Sequence, residues 1–224
     1  MKRMSATVPL IFLAVLLLPA SAAGQAYFLG ISASSARPLD PPYARTYLKP
    51  SFGPGFHLLM RLSDRVGCNF DFCFYRFGLE SRRFVEDKGG NASSAVGSLN
   101  LDVVSMSLVG SANSMENPVS VYATGGMGYY RLNPRNTWLV SRWTDDEGQA
   151  QMDSSLINLG GMRNRFALNA GLGANFRLFK RVSFFMEYRY HWIFLRTHRH
   201  PMTGESIREA MILSATLAGI RMLY

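Results

Sequence analysis

The strongest constraint on the fold of this chain is an alternation of apolar residues with polar or small ones, with a period of two. In the segment 166–178, Phe166, Leu168 and Leu172 share one face with four further apolar residues, and Asn169 lies on the opposite face. Such a period is typical of β-strands, in which successive side chains point to opposite faces. The pattern recurs, so the sequence predicts eight strands, over residues 27–34, 52–62, 68–75, 99–110, 119–130, 166–178, 182–194 and 212–224.

The distribution of charge distinguishes a soluble sheet from a membrane barrel. Only 17% of the residues are charged, compared with about 25% in soluble domains. The apolar faces of the predicted strands carry no charged residue, whereas the opposite faces combine charges with Gly, Asn, Ser and Tyr. In a membrane barrel the apolar face contacts lipid, where an Arg or Lys at the midplane costs about 2–4 kcal/mol. The pattern therefore favours strands whose apolar faces point outward into a bilayer.

The connections between the predicted strands alternate in length. Short connections lie at 63–66, 111–118 and 179–181, and long ones at 36–50, 76–97, 131–165 and 195–211. This alternation is typical of an up-and-down barrel with turns at one end and large loops at the other. The predicted fold class is therefore all-β, an eight-stranded antiparallel up-and-down transmembrane β-barrel over residues 23–224. Within the longest connection, 137–143 and 151–159 predict a hairpin that extends beyond the membrane.

The first 22 residues have the pattern of a secretory signal peptide. Lys2 and Arg3 precede an apolar run from Val8 to Pro19, and small residues follow up to Ala22. The run is shorter than the roughly 20 residues that a membrane-spanning helix needs, and the small residues suit a cleavage site. We therefore expect cleavage after Ala22, which lowers the net charge from +9 to +7 because it removes two basic residues and no acidic one.

An interior of eight strands is just wide enough for side chains to fill it. The alternation directs charged residues into this lumen, where opposite charges can pair and avoid the cost of an unpaired buried charge. We therefore predict a satisfied polar network in the lumen, formed by Arg61, Asp71, Asp102, Arg177, Glu187, Arg189, His191 and Arg221. In the strand 99–110, this assignment puts Asp102 in the lumen and Leu101 and Val103 on the lipid-facing side. Cys68 and Cys73 fall on opposite faces of one strand, and we expect free thiols.

The signal sequence, the eight alternating segments and the final residues 218–224 together resemble the small outer-membrane β-barrel family of OmpA and OmpX type. In that family, alternate apolar residues ending in a C-terminal aromatic residue form the signal for the barrel assembly machinery. Ile220, Met222 and Tyr224 match this pattern, although Phe is commoner than Tyr at the last position. The resemblance implies export to the cell outer membrane and assembly by that machinery.

Basic residues in the long connections indicate partners for the surface of such a protein. They would lie beside lipopolysaccharide phosphates, which Arg binds well. These residues are Arg37, Arg45, Lys49, Arg82, Arg83, Arg135, Arg142, Arg163, Arg196 and Arg199. We expect outer-membrane lipid and lipopolysaccharide as partners, no nucleic acid, no cofactor, no metal and a monomeric protein.

The most enzyme-like pattern is Glu187 and His191, an inward carboxylate four residues before an inward His. Lipid A deacylases of barrel type look similar at this point but have a nucleophilic Ser two residues after the His. Ile193 occupies that position here. We therefore predict a non-enzymatic protein with a structural or surface-interaction role through its extracellular loops. The alternatives are a narrow channel for small or hydrophobic solutes, a lipid A-modifying hydrolase, and a soluble secreted β-sandwich.

Overall fold

The computed structural model describes residues 26–88, 94–134, 137–144, 150–157, 163–195, 198–199, 206–207 and 210–224. The predicted signal peptide, residues 1–22, lies outside these ranges. The elements are β1 (Tyr27–Asp40), α1 (Pro42–Tyr47), β2 (Ser51–Arg61), β3 (Val66–Gly78), α2 (Ser81–Lys88), β4 (Ser94–Val96), β5 (Ser98–Ser111), β6 (Val119–Pro134), β7 (Thr137–Thr144), β8 (Ala150–Ile157), β9 (Arg163–Phe179), β10 (Val182–Phe194), β11 (His198–Arg199), β12 (Ser206–Ile207) and β13 (Ala210–Leu223).

Eight of these strands form one closed antiparallel barrel, in the order β1-β13-β10-β9-β6-β5-β3-β2. The first and last barrel strands close it, with Phe28 opposite Leu223 and Ala36 opposite Ala215. Closure pairs both edges of every barrel strand, so the barrel sheet has no free edge whose backbone N–H and C=O groups would face lipid without a hydrogen-bond partner. The predicted eight-stranded up-and-down barrel is confirmed, and one closed sheet excludes the β-sandwich alternative. None of the helices in the described ranges is long and apolar enough to span a membrane.

The two ends of the barrel differ. We call the end with the short connections 62–65, 112–118 and 180–181 the turn end, and the opposite end the loop end. At the loop end, β7 and β8 form the predicted hairpin. β4 pairs with β7 to complete a separate three-stranded sheet. The sequence did not predict β4, because three residues are too short to show a period.

Outward-facing residues form an apolar surface around the barrel. Ile31 and Leu108 are each 62% exposed and Leu172 is 67% exposed, although all three lie within barrel strands. Large exposed apolar patches on a protein mark contact with a membrane or a partner. The alternating exposure matches the predicted apolar outer face in most of the barrel.

The beginning of β5 departs from the predicted faces. Leu101 and Val103 are buried in the lumen, whereas Val104 and Met106 are exposed outward. The prediction that Asp102 lies in the lumen is therefore wrong. Apolar residues occur on both faces of this segment, so alternation alone could not assign its inner face. Asp102 faces outward at the loop end, with Oδ2 3.8 Å from Nε of Arg131 on β6.

Candidate functional site

The lumen is filled by three layers of side chains. The loop-end layer is apolar and contains Tyr75, Phe77, Leu101, Val103, Tyr130, Leu132, Ile193, Met211 and Leu213, and the same buried cluster continues past the polar groups through Leu217 and Phe185. The turn-end layer is also apolar and contains Leu59, Val109, Met115 and Tyr122, with Phe28 packed against it. Between them lies a polar layer of buried charged, amide and hydroxyl groups. The sequence did not predict the two apolar layers.

Arg189 is the centre of the polar layer. Its side chain is 1% exposed, Nη1 donates to Oδ2 of Asp71 over 2.7 Å, and Nε donates to Oε1 of Glu187 over 2.5 Å. Tyr122 donates its hydroxyl to the other oxygen of Glu187 over 3.1 Å. Asn69 Nδ2 donates to Asp71 Oδ1 over 2.6 Å. One buried cation therefore joins two buried carboxylates, each of which has a further neutral donor.

A second chain of hydrogen bonds reaches Asp71 from β1. Ser32 Oγ lies 2.7 Å from His57 Nε2, and His57 Nδ1 lies 2.5 Å from Asp71 Oδ1. Phe185 packs edge-on against the His57 ring, with 5.2 Å between the centroids. This serine–histidine–aspartate order has the connectivity of a catalytic triad.

The backbone around Ser32 belongs to the barrel ladders. An acyl-transfer enzyme needs hydrogen-bond donors for the oxyanion, commonly backbone N–H groups. Ser32 pairs with Gly55 on β2 and with Gly219 on β13, so the ladders on both sides occupy the neighbouring backbone groups. Ser32 and His57 are also buried in the lumen. The arrangement joins β1, β2 and β3 through buried hydrogen bonds.

His191 and Arg221, both predicted for the lumen, are buried there but lie outside the Arg189 ion-pair centre. His191 Nδ1 lies 2.5 Å from the hydroxyl of Tyr130. The Arg221 guanidinium stacks on Phe185, with its Cζ 3.9 Å from the ring centroid, and Tyr122 is 5.8 Å away. Arg221 is therefore held by aromatic rings, a cation–π arrangement.

Two further residues of the predicted network lie at the barrel rim. Arg61 ends β2 and pairs with Glu116 in the 112–118 turn, and Arg177 is exposed at the same end. Hydrogen bonding and the positive charge of Arg61, with a smaller contribution from Arg177, lower the pKa of Glu116. The prediction that Arg61 and Arg177 belong to the lumen network is wrong, because they lie beyond the turn-end layer, where solvent reaches them.

The charged residues and His191 are not the only members of the network. Further contacts come from His57, Asn69, Tyr122 and Tyr130, which the sequence did not predict as members. All four lie at inward positions of the alternation, which is the signal that could have found them. In the described part of the chain, no group of three or more His, Cys, Asp or Glu side chains could hold a metal ion.

The residues of the predicted assembly signal lie on the outer surface. Ile220 and Met222 are exposed on β13, and Tyr224 donates its backbone N–H to the carbonyl of Tyr27 over 2.8 Å. Cys68 and Cys73 lie on opposite faces of β3, as predicted, with Cys73 buried in the lumen. The side chains of Arg135, Arg142, Arg196 and Arg199 lie outside the described part of the structure.

An apolar outer surface, a closed antiparallel sheet of eight strands and a filled interior define the class: the chain has the fold of the small eight-stranded outer-membrane β-barrels. No protein-family model and no curated protein matches the chain.

Three solved structures illustrate this likeness. The chain is similar to Neisserial surface protein A, with 15% identity and a TM-score of 0.54 over 89% of this chain and 98% of that one. A major outer membrane protein of Thermus thermophilus matches with 13% identity and a TM-score of 0.52, over 90% and 100% of the two chains. OprG, an outer membrane protein of Pseudomonas aeruginosa, matches with 12% identity and a TM-score of 0.52, over 90% and 96%. At these identities the likeness establishes the fold.

Proposed function

We propose that this protein is a non-enzymatic barrel of the outer membrane with a structural or surface-interaction role through its loops. The observation that carries the proposal is the continuous filling of the lumen, with Arg189 and its carboxylates between two apolar layers. Two of the structural neighbours are outer membrane proteins, which supports the location proposed here. The proposal includes export by residues 1–22 and recognition of Ile220, Met222 and Tyr224 by the assembly machinery. It also includes outer-membrane lipid and lipopolysaccharide as partners of a monomer.

The filling of the lumen argues against the channel alternative. A cavity beside Arg221 at the turn end measures about 20 Å³, which is space for about one water molecule. At the loop end, Ala44 of α1 is buried in the apolar layer, so this helix packs over the barrel mouth. A permeating ion would have to displace both apolar layers and break the Arg189 pairs.

Conductance in a planar lipid bilayer tests this proposal. We expect no single-channel steps above the lipid background, because the side chains leave no continuous aqueous path. Heat-dependent migration of the same sample on a denaturing gel checks that the inserted protein is folded. Reproducible steps from the folded protein would replace the structural role with the narrow-channel alternative.

The Ser32–His57–Asp71 chain is the observation that favours the hydrolase alternative. A fluorophosphonate probe reacts with activated serines, so it should leave the reconstituted protein unlabelled. Mass spectrometry of lipid A from cells with and without the gene should give the same masses. Labelling that disappears in Ser32→Ala but persists in Ser63→Ala, which changes an exposed turn serine, would establish the hydrolase instead.

A further inference from the structure

A large basic cavity lies at the loop end, outside the lumen. Its volume is about 490 Å³, and the connections that contain α1 and α2 form its walls. Five basic and two acidic residues contribute to its lining. The basic residues are Arg37, Arg45, Lys49, Arg82 and Arg83, and the acidic residues are Glu80 and Glu86. We refer to it as the basic cavity.

The positive charge of the basic cavity exceeds what its own carboxylates neutralise. Lys49 Nζ lies 3.7 Å from Glu80 Oε2, and Arg82 Nε lies 2.9 Å from Glu86 Oε1, so both acidic residues already have a partner. The remaining three guanidinium groups have no carboxylate within 4.0 Å among the residues that the structure describes. These are Arg37, Arg45 and Arg83. The cavity therefore presents three uncompensated arginines.

The walls of the basic cavity are fixed to each other. The Tyr47 ring of α1 packs edge-on against the Phe84 ring of α2, with 5.5 Å between the centroids. The Lys49 N–H donates to the Gly78 carbonyl over 2.8 Å, and the Glu80 N–H donates to the Tyr47 carbonyl over 2.7 Å. A site whose walls are held before binding loses less conformational entropy when a ligand arrives.

The basic cavity begins where the apolar outer surface of β1 ends. Ile31 faces outward on this strand, and Ser35, four residues further on, is opposite Phe52, which is 80% exposed. Arg37 is two residues beyond Ser35, on the same face, and exposed. Arg37 therefore stands just beyond the apolar outer surface of β1, which places this edge of the basic cavity next to the lipid-facing surface.

We propose that the basic cavity binds the phosphate groups of a phosphorylated sugar headgroup of the adjoining lipid leaflet. Arginine suits this ligand because its planar guanidinium can donate two parallel hydrogen bonds to one phosphate. The arginines supply positive charge opposite the negatively charged phosphates. The cavity, about 490 Å³ in volume, has room for the sugar. This inference rests on the proposed function, since it requires the loop end to lie at the outer face of the membrane.

Binding of lipid A, a bisphosphorylated disaccharide lipid, tests the inference. Native mass spectrometry of the detergent-solubilised protein should detect bound lipid A, and glucose 1,6-bisphosphate serves as the soluble probe in parallel. The variant Arg45→Gln/Arg83→Gln should bind lipid A at least about tenfold more weakly than the unaltered protein, because it removes two charge-assisted contacts. The control Lys180→Gln/Arg181→Gln removes the same charge from exposed residues at the turn end, at the opposite end of the barrel from the basic cavity, and should bind like the unaltered protein.

The outcomes separate the ligand from the role of the barrel. Equal weakening in both double variants would overturn the inference, because binding would then follow overall charge. Binding of glucose 1,6-bisphosphate without binding of lipid A would also overturn it, in favour of a soluble phosphosugar. Heat-dependent gel migration checks that each variant is folded. Absence of lipid A binding in a protein that is silent in the planar bilayer would overturn the inference while the structural role stands.

Discussion

At the scale of the residue, a single buried arginine holds the polar layer together. Arg189 is bonded to Asp71 on β3 and to Glu187 on its own strand, so its charge links opposite walls of the barrel. Because its side chain is only 1% exposed, Arg189 cannot readily exchange these partners for bulk solvent. Loss of one partner of a buried ion pair typically costs about 3–5 kcal/mol, because the other charge remains buried without compensation.

Arg189→Met is the change that tests this role. We expect the free energy of unfolding to fall by about 3–5 kcal/mol, since both carboxylates lose their cation. Urea unfolding of the protein in lipid vesicles, followed by tryptophan fluorescence, measures the difference. Arg163→Met is the matched control, because Arg163 is exposed on β9. A loss below about 1 kcal/mol for Arg189→Met, similar to that of a single ordinary hydrogen bond, would contradict the ion-pair account.

Part of the polar layer could be predicted from the alternation of residues. Alternation directed Asp71, Glu187 and Arg189 inward, because each lies among clearly apolar neighbours. It could not identify partners across the barrel, since Asp71 and Arg189 are 118 residues apart. It also overestimated the network at its ends, where Arg61 and Arg177 lie at inward positions but reach solvent at the rim.

At the scale of the element, glycine on one strand makes room for a large side chain on the neighbouring strand. Gly173 on β9 faces the lumen opposite Tyr122 on β6. A Cβ atom at Gly173 would lie 2.4 Å from Cζ of Tyr122, which is closer than any ordinary contact. The absence of a side chain at this position therefore lets the Tyr122 ring reach Glu187.

Gly173→Ala should destabilise the barrel by about 1–3 kcal/mol, the usual cost of overpacking a core. Gly125→Ala on β6 is the matched control, because a Cβ atom there has no heavy atom within 4 Å. Removing a strand glycine without steric conflict stabilises by about 0.5–1 kcal/mol. The same urea titration compares the two variants. Equal effects of the two changes would mean that the contact between Tyr122 and Gly173 is unimportant.

Prediction of the elements succeeded where the two faces of a strand differ in polarity. β9 has one apolar face and one small or polar face, and the inner face of β10 contains Glu187, Arg189 and His191 opposite an apolar outer face, so the extents of both strands were predicted within three residues. The first part of β5 has Leu101, Val103 and Val104 on both faces, so its inner face was assigned wrongly. The helices α1 and α2 and the strand β4 lie in connections where no repeating pattern was recognised.

At the scale of the whole molecule, the barrel combines a closed sheet with a lumen that is filled by side chains. The outer surface is apolar along the barrel, the lumen is closed by the loop-end and turn-end layers, and the basic cavity lies beyond the apolar surface. The sequence predicted closure and an apolar exterior, because both follow from alternation and connection lengths. The apolar layers and the basic cavity depend on which loops meet in space, which a local pattern does not encode.

Contacts of methyl groups with lipid and with water test the whole arrangement most directly. In nanodiscs, nuclear Overhauser effects to acyl-chain protons should appear for the methyl groups of Ile31, Leu108 and Leu172. They should be absent for Leu101 and Leu213, which are fully buried in the loop-end layer and should also lack cross-peaks to water. Acyl-chain contacts at Leu101 and Leu213, or water cross-peaks at those two residues, would contradict a lipid-facing exterior around a closed lumen.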